Sequence, residues 1–171
     1  RLEDCINSDL ANNFGNLCQR VTAFALKNCD GKIPNDIEFN KDDLVILDKF
    51  KNNSDLIRNK IDELDLNFYI EFIVNSLFET NKYFNDQEPW KKKNNIKRLN
   101  TIIYTTLEIV RKISFMLYPI IPQSSLNALK IFSIKEDEIN FSTINNHTYL
   151  LSGNLINKID ILFKKIERNN D

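Results

Sequence analysis

Glycine and proline are scarce in this chain, with 3 and 4 in 171 residues. An all-β fold needs many tight turns, so this scarcity argues against one and favours long helices. Cysteine is also scarce and odd in number, at Cys5, Cys18 and Cys29. Without a C-x-x-C pair, these residues supply neither a disulfide framework nor a zinc site, and reduced thiols of a cytoplasmic protein are the simple reading. The single histidine, His147, lies in a polar stretch with no acidic or thiol neighbour at ligand spacing, so it reads as a surface residue and no metal site is expected. No apolar run approaches the ~18 residues of a membrane span. Neither sign of charge dominates: the net charge is -1. Any contact with nucleic acid must then be local and structured rather than a diffuse basic carpet. The start, Arg1-Leu2-Glu3-Asp4-Cys5, lacks Met and the pattern of a signal peptide, and reads as a cut inside a longer chain.

Apolar residues are plentiful. They make up 42% of the chain and include 12 Phe, enough for a sizeable core. Their spacing is helical. A first helix is expected from Asn7 or Ser8 to about Asn28, ended by Asp30-Gly31 and Pro34. A second is capped by Asn40 or Asp42 and carries Leu44, Leu47, Phe50, Ile57 and Ile61. A third starts near Asp65 or Asn67; Phe68, Ile70, Phe72, Ile73, Leu77 and Phe78 make it the candidate central helix. A fourth covers about Asn94 to Leu117 and is ended by Pro119 and Pro122. A short fifth opens at Ser124 or Ser125. The remainder, 133–171, reads as a less regular appendage with a last amphipathic segment near Leu155 to Ile166. The expected fold is all-α, one helical-bundle domain of about five helices.

Two stretches carry candidate chemistry. In the first helix, Leu10, Phe14, Leu17, Val21 and Phe24 form one apolar stripe. Asn12, Asn16 and Arg20 follow at i, i+4, i+8 and form a row on the opposite side. Two amides and a guanidinium in register could bond the edges and phosphates of unpaired nucleotides; they could also be an ordinary solvated face. The second stretch is the junction between helices three and four. Trp90, the only tryptophan, follows Pro89 and precedes Lys91-Lys92-Lys93. An indole directed by a rigid proline offers a face for base stacking, and the lysines are possible phosphate contacts. An indole folded back as an apolar plug is the other reading.

Together these stretches resemble a known family. The run N-x-D-L-A-N-x-x-G-N-L-x-x-R, Asn7 to Arg20, and the later Tyr83…Glu88-Pro89-Trp90-Lys91 are similar to the anticodon-binding domain of methionyl-tRNA synthetase. Leu117-Tyr118-Pro119-Ile120-Ile121-Pro122 looks like that domain's L-x-P-x-x-P segment. Leu162-Phe163-Lys164-Lys165-Ile166-Glu167 resembles the L-F-P-R-I-E ending of the compact enzyme body. Glu88 stands where a small residue is common, Lys92 and Lys93 where small or apolar residues are usual, and Lys164 where the ending has proline.

The resemblance implies recognition of a CAU anticodon by Asn16, Arg20, Pro89 and Trp90. Asn12, one turn before Asn16, lies where it could join them. It implies tRNA(Met) and the enzyme's own catalytic domain as partners, with no membrane or DNA, and a cytoplasmic location. ATP and Mg are implied for the parent ligase and no cofactor for this domain. No H-I-G-H-like or K-M-S-K-S-like motif and no glycine-rich nucleotide loop is present, so no catalytic residue is expected here. If the resemblance holds, helix one must pack beside the helix three–four junction. A helical protein–protein interaction module is the alternative function, motivated by the near-neutral charge and the many Phe residues.

Overall fold

The structure, a computed structural model, describes residues 2–62 and 66–159. Among these residues it forms five α-helices: α1 (Leu2–Asn28), α2 (Lys41–Asp62), α3 (Leu66–Gln87), α4 (Ile96–Leu117) and α5 (Pro122–Leu129). Among the described residues the only β pairing is a single bridge, Lys32 to Leu155.

Local chemistry explains most of the ends. α1 starts earlier than the Asn7 or Ser8 expected, and Asn7 and Ser8 lie inside it. Its stop matches the sequence: Gly31, at φ +69°, turns the chain after Asp30. α2 opens on a reciprocal cap. Asn40 Oδ1 accepts from the Asp43 N–H at 3.1 Å, and Asp43 Oδ2 accepts from the Asn40 N–H at 2.9 Å. The Asn95 side chain caps α4 by accepting from the Arg98 N–H. Pro122 does not stop a helix; it opens α5, where its missing N–H costs nothing.

The central helix is α4, not α3. It touches all four other helices and is buried from Thr101 through Leu117. Leu107, Ile113 and Met116 anchor a core that α1 completes with Phe14, Leu17 and Val21, and α2 with Leu47 and Phe50. Each such side chain contributes about 1.5–3 kcal/mol on burial. α3 is only partly covered, and its Val74 and Phe78 remain 44% and 69% exposed. Leu44, expected in the buried stripe of α2, is also exposed.

α4 buries Glu108, Arg111 and Lys112 as well, and these hold the irregular segment that follows. Arg111 pairs with Glu108 at 2.7 Å and donates to the carbonyls of Thr143 and Asn146. Glu108 accepts from the Leu150 N–H. Lys112 donates to the Ile144 and Asn146 carbonyls and meets His147 Nδ1 at 3.0 Å. His147 Nε2 in turn donates to Asp48 Oδ1 on α2 at 3.0 Å. His147 is therefore not the free surface residue expected but a half-buried link between α2 and α4. Residues 153–156 then return to the turn after α1: Ile33 N–H donates to the Asn154 carbonyl, Gly153 N–H to Ile33, and Ile156 N–H to Gly31. The Leu162–Glu167 match lies outside the described residues, as does most of the expected last amphipathic segment; its described part, up to Ile159, forms no helix.

Candidate nucleic-acid interface

The row on α1 faces outward. Asn16 and Arg20 are exposed and Asn12 is half-buried, while Leu10, Phe14, Leu17 and Val21 lie in the core. The apolar stripe thus fixes which way the polar row points.

The junction is a tight connection. Glu88 takes a left-handed conformation, φ 48° and ψ 58°, and Pro89 opens a 3-10 turn, Pro89–Lys91. Lys91 N–H donates to the Glu88 carbonyl and Lys92 N–H to the Pro89 carbonyl, at 2.9 and 3.0 Å. Pro89 is buried, whereas Trp90 is 41% exposed. The indole is therefore neither a buried plug nor a free flag. It leans on Phe84, with ring centroids 6.2 Å apart and planes tilted by 59°. Phe84 is in turn held edge-on by Phe24 of α1, at 5.7 Å.

Arg20 joins the two stretches. Its guanidinium carbon lies 4.8 Å from the Phe84 ring centroid and 5.9 Å from that of Trp90. A cation against aromatic faces gains about 0.5–1 kcal/mol at an exposed site. One Nη also donates to Asn85 Oδ1. Helix one thus packs beside the α3–α4 junction, the arrangement that the resemblance requires.

The surrounding charges are mostly paired. Glu88 and Lys91 form an ion pair at 2.7 Å, and Lys91 holds the Glu88 carboxyl below its ordinary value. The acid beside the proline is therefore compensated locally. Lys92 is half-buried and Lys93 exposed.

Behind the junction sits a buried clamp. Asp43 of α2, fully buried, accepts from Arg98 Nη1 and Nη2 at 2.7 and 2.9 Å. It also accepts from the Tyr83 hydroxyl. Arg98 reaches Gln87 Oε1 at 2.8 Å. The hydrogen bonds to Asp43 hold the Arg98 guanidinium above its ordinary value, while burial pushes the Tyr83 hydroxyl up, with Asp43 adding to it. This clamp joins the first turn of α2, the last turn of α3 and the first turn of α4, so it sets the span that Pro89 and Trp90 bridge.

Sequence reasoning missed Phe84, Asn85, Asp43 and Arg98. In the sequence Phe84 is one more apolar residue near the end of the third helix, and Asp43 is one of two adjacent acids at the start of the second. Nothing local marks a carboxylate as the partner of an arginine on another helix. Among the described residues no cluster of His, Cys, Asp and Glu could hold a metal ion, and no helix is long and apolar enough to cross a membrane.

Comparison with known proteins gives a consistent set of relatives. Residues 33–171 match the family described as the anticodon binding domain of methionyl tRNA ligase. The chain is 36% identical over 139 residues to the methionine–tRNA ligase of Brucella suis, covering 81% of this chain and 27% of that protein. It is 32% identical over 169 residues to that of Thermotoga maritima, covering 98% of this chain and 27% of that protein. Among solved structures, apo methionyl-tRNA synthetase of Mycobacterium tuberculosis superposes with a TM-score of 0.83 at 29% identity. That match covers 94% of this chain and 33% of the other. The chain thus spans about a quarter to a third of the length of the proteins it matches.

Proposed function

Because the chain belongs to the anticodon-binding domain family of methionyl-tRNA ligases, we propose that it reads the CAU anticodon loop of tRNA(Met). Trp90 stacks on one unpaired anticodon base, and Arg20, held beside the indole, bonds that base's edge or its phosphate. Asn16 and Asn12 continue the polar row along α1 and read edges with their amides. Pro89 fixes where the indole leaves the backbone. Lys92 and Lys93 meet phosphates, with Lys91 joining them when it leaves Glu88.

The observation that carries this reading is the Arg20 guanidinium lying against Phe84 and Trp90. It brings a donor fork, an exposed indole and a polar helix row to one place, as recognition of a splayed base requires. The event is binding, and no chemistry is assigned to these residues. In the whole ligase, a cytoplasmic enzyme using ATP and Mg, the domain presents tRNA(Met) to a catalytic body for attachment of methionine.

Trp90 is the only indole, so its fluorescence reports the site without labels. Titration with a CAU stem-loop and with one carrying a single changed anticodon base tests the reading. Quenching by the CAU loop alone supports it. Equal quenching by both loops, or none by either, rejects it.

A further inference from the structure

Beside the polar row, α1 and α3 leave an open groove of about 510 Å³. It is lined by Asp9, Leu10, Asn13 and Asn16 of α1, and by Val74, Leu77, Phe78 and Asn81 of α3. The groove has an apolar floor: Leu10 and Leu77 are buried. Its wall carries an aromatic side chain in solvent, since Phe78 is 69% exposed in a helix whose other apolar side belongs to the core. Its rim is made of amides. Asn81 donates to the Leu77 carbonyl at 3.1 Å, which leaves its Oδ1 as an acceptor.

We propose, resting on the anticodon reading above, that this groove takes the base of a second unpaired anticodon-loop nucleotide, stacked on Phe78 and contacted at its edge by Asn13 and Asn81.

Three observations select an RNA base over other occupants. First, the groove is continuous with the candidate interface. Asn16 belongs to both, and it lies one helical turn, about 6 Å, from Arg20. Along α3, Phe78 and Asn85 are about 10 Å apart. A second nucleotide of the same loop as the one on Trp90 can therefore meet the groove along one surface. Second, the lining suits a base: an aromatic face for stacking and amides that both donate and accept. A protein helix seated there would leave those amides facing apolar side chains. Third, among the described residues the only charged one in the lining is Asp9. A carboxylate repels phosphate but accepts from an exocyclic amino group. The base therefore points into the groove, and its phosphate stays on the side of Arg20 and the lysines.

The test uses the intact chain, the CAU anticodon stem-loop, and a set of the same stem-loops made abasic at one loop position each. Binding is read by Trp90 quenching. Phe78→Ala is expected to weaken the intact loop by about fivefold to a hundredfold, the range for loss of one stacked base. One abasic loop should bind wild type more weakly by a similar factor, and should bind Phe78→Ala no worse than wild type. Phe78→Tyr, which keeps the aromatic face, should bind the intact loop as wild type does. If Phe78→Ala binds the intact loop with wild-type affinity, the groove takes no base, while the anticodon reading stands. If Phe78→Ala weakens every abasic loop equally, no single base stacks there and the inference fails. If wild type is quenched by no loop, the anticodon reading fails and this inference with it. Phe78 is exposed, so unchanged thermal unfolding of the variant shows that a lost affinity is not lost folding.

Discussion

The Arg20 guanidinium sits 5.9 Å from the ring centroid of Trp90, and Asn85 accepts one of its N–H groups. A residue of α1 and a residue of the α3–α4 junction thus share one surface, and the planar fork is oriented before any ligand arrives.

That orientation separates shape from charge. Arg20→Lys keeps the charge but loses the planar stack and the fork. It should weaken the CAU stem-loop severalfold while leaving the salt dependence of binding as it was. Arg20→Ala should weaken binding further and lower the salt slope by about 0.7, the share of one phosphate contact on a single strand. Titrations at several salt concentrations distinguish the two.

Glu88 occupies Lys91 through the 2.7 Å pair. Glu88→Gln leaves the Lys91 ammonium without a carboxylate partner. Stem-loop affinity at low salt should rise, and the salt slope should steepen by up to about 0.7. Unchanged affinity together with an unchanged slope would mean that Lys91 meets no phosphate.

The clamp behind the junction has a different signature. Asp43→Ala leaves Arg98 without its carboxylate and Tyr83 without its acceptor. Removing one partner of such a buried pair should destabilise the domain by about 3 kcal/mol. The urea midpoint should fall, and Trp90 emission of the folded variant should shift, because the clamp sets the ends of α3 and α4. Leu107→Ala, in the middle of α4, should cost about 2–5 kcal/mol with no change in folded-state emission.

Stability should also depend on pH through α4. Burial, with Arg111 adding to it, pushes the Lys112 ammonium down to about 7 from an ordinary 10.5. Between those values the unfolded chain binds the extra proton, so stability rises with pH across that window, by no more than about 1.4 kcal/mol per unit. Below about 7 Lys112 is charged in both states and its share is flat. His147 is pushed down from 6.5 by burial and by the Lys112 charge, so a further loss follows as pH falls below 6.5. Glu108 and Asp48 oppose both shifts. Urea unfolding from pH 5.5 to 10 should show the rise in wild type and a flatter profile above pH 7 in Lys112→Met.

Much of this was legible in the sequence because it is local. Asn40 can cap α2 because its side chain reaches the next turn, and the α1 stripe shows its two faces by spacing alone. The adjacency of Arg20 and Trp90 was a requirement of the resemblance, not of any spacing. What stayed hidden depends on partners far along the chain. Glu108, Arg111 and Lys112 look like solvent-facing charges, yet they are buried because the carbonyls of Thr143, Ile144 and Asn146 meet Arg111 and Lys112, and the Leu150 N–H meets Glu108. That is why apolar content pointed to α3 as the centre and the structure places α4 there. Phe78 deceived in the opposite direction, since a periodic pattern cannot tell an apolar residue that is covered from one left in solvent. His147 looked isolated because Asp48 and Lys112 lie on other elements.

The return of Gly153, Asn154 and Ile156 to the turn after α1 has a consequence for synthesis. The exit turn of α1 is fastened by residues made more than a hundred positions later. While the ribosome is still elongating, α1 can form its own turns and meet α3 and α4, but its exit turn stays unlatched until the 150s have emerged. Premature termination just short of that point should therefore yield a nascent product with all five helices and an unsecured first one, the kind of late-stage intermediate that proteases and chaperones sort.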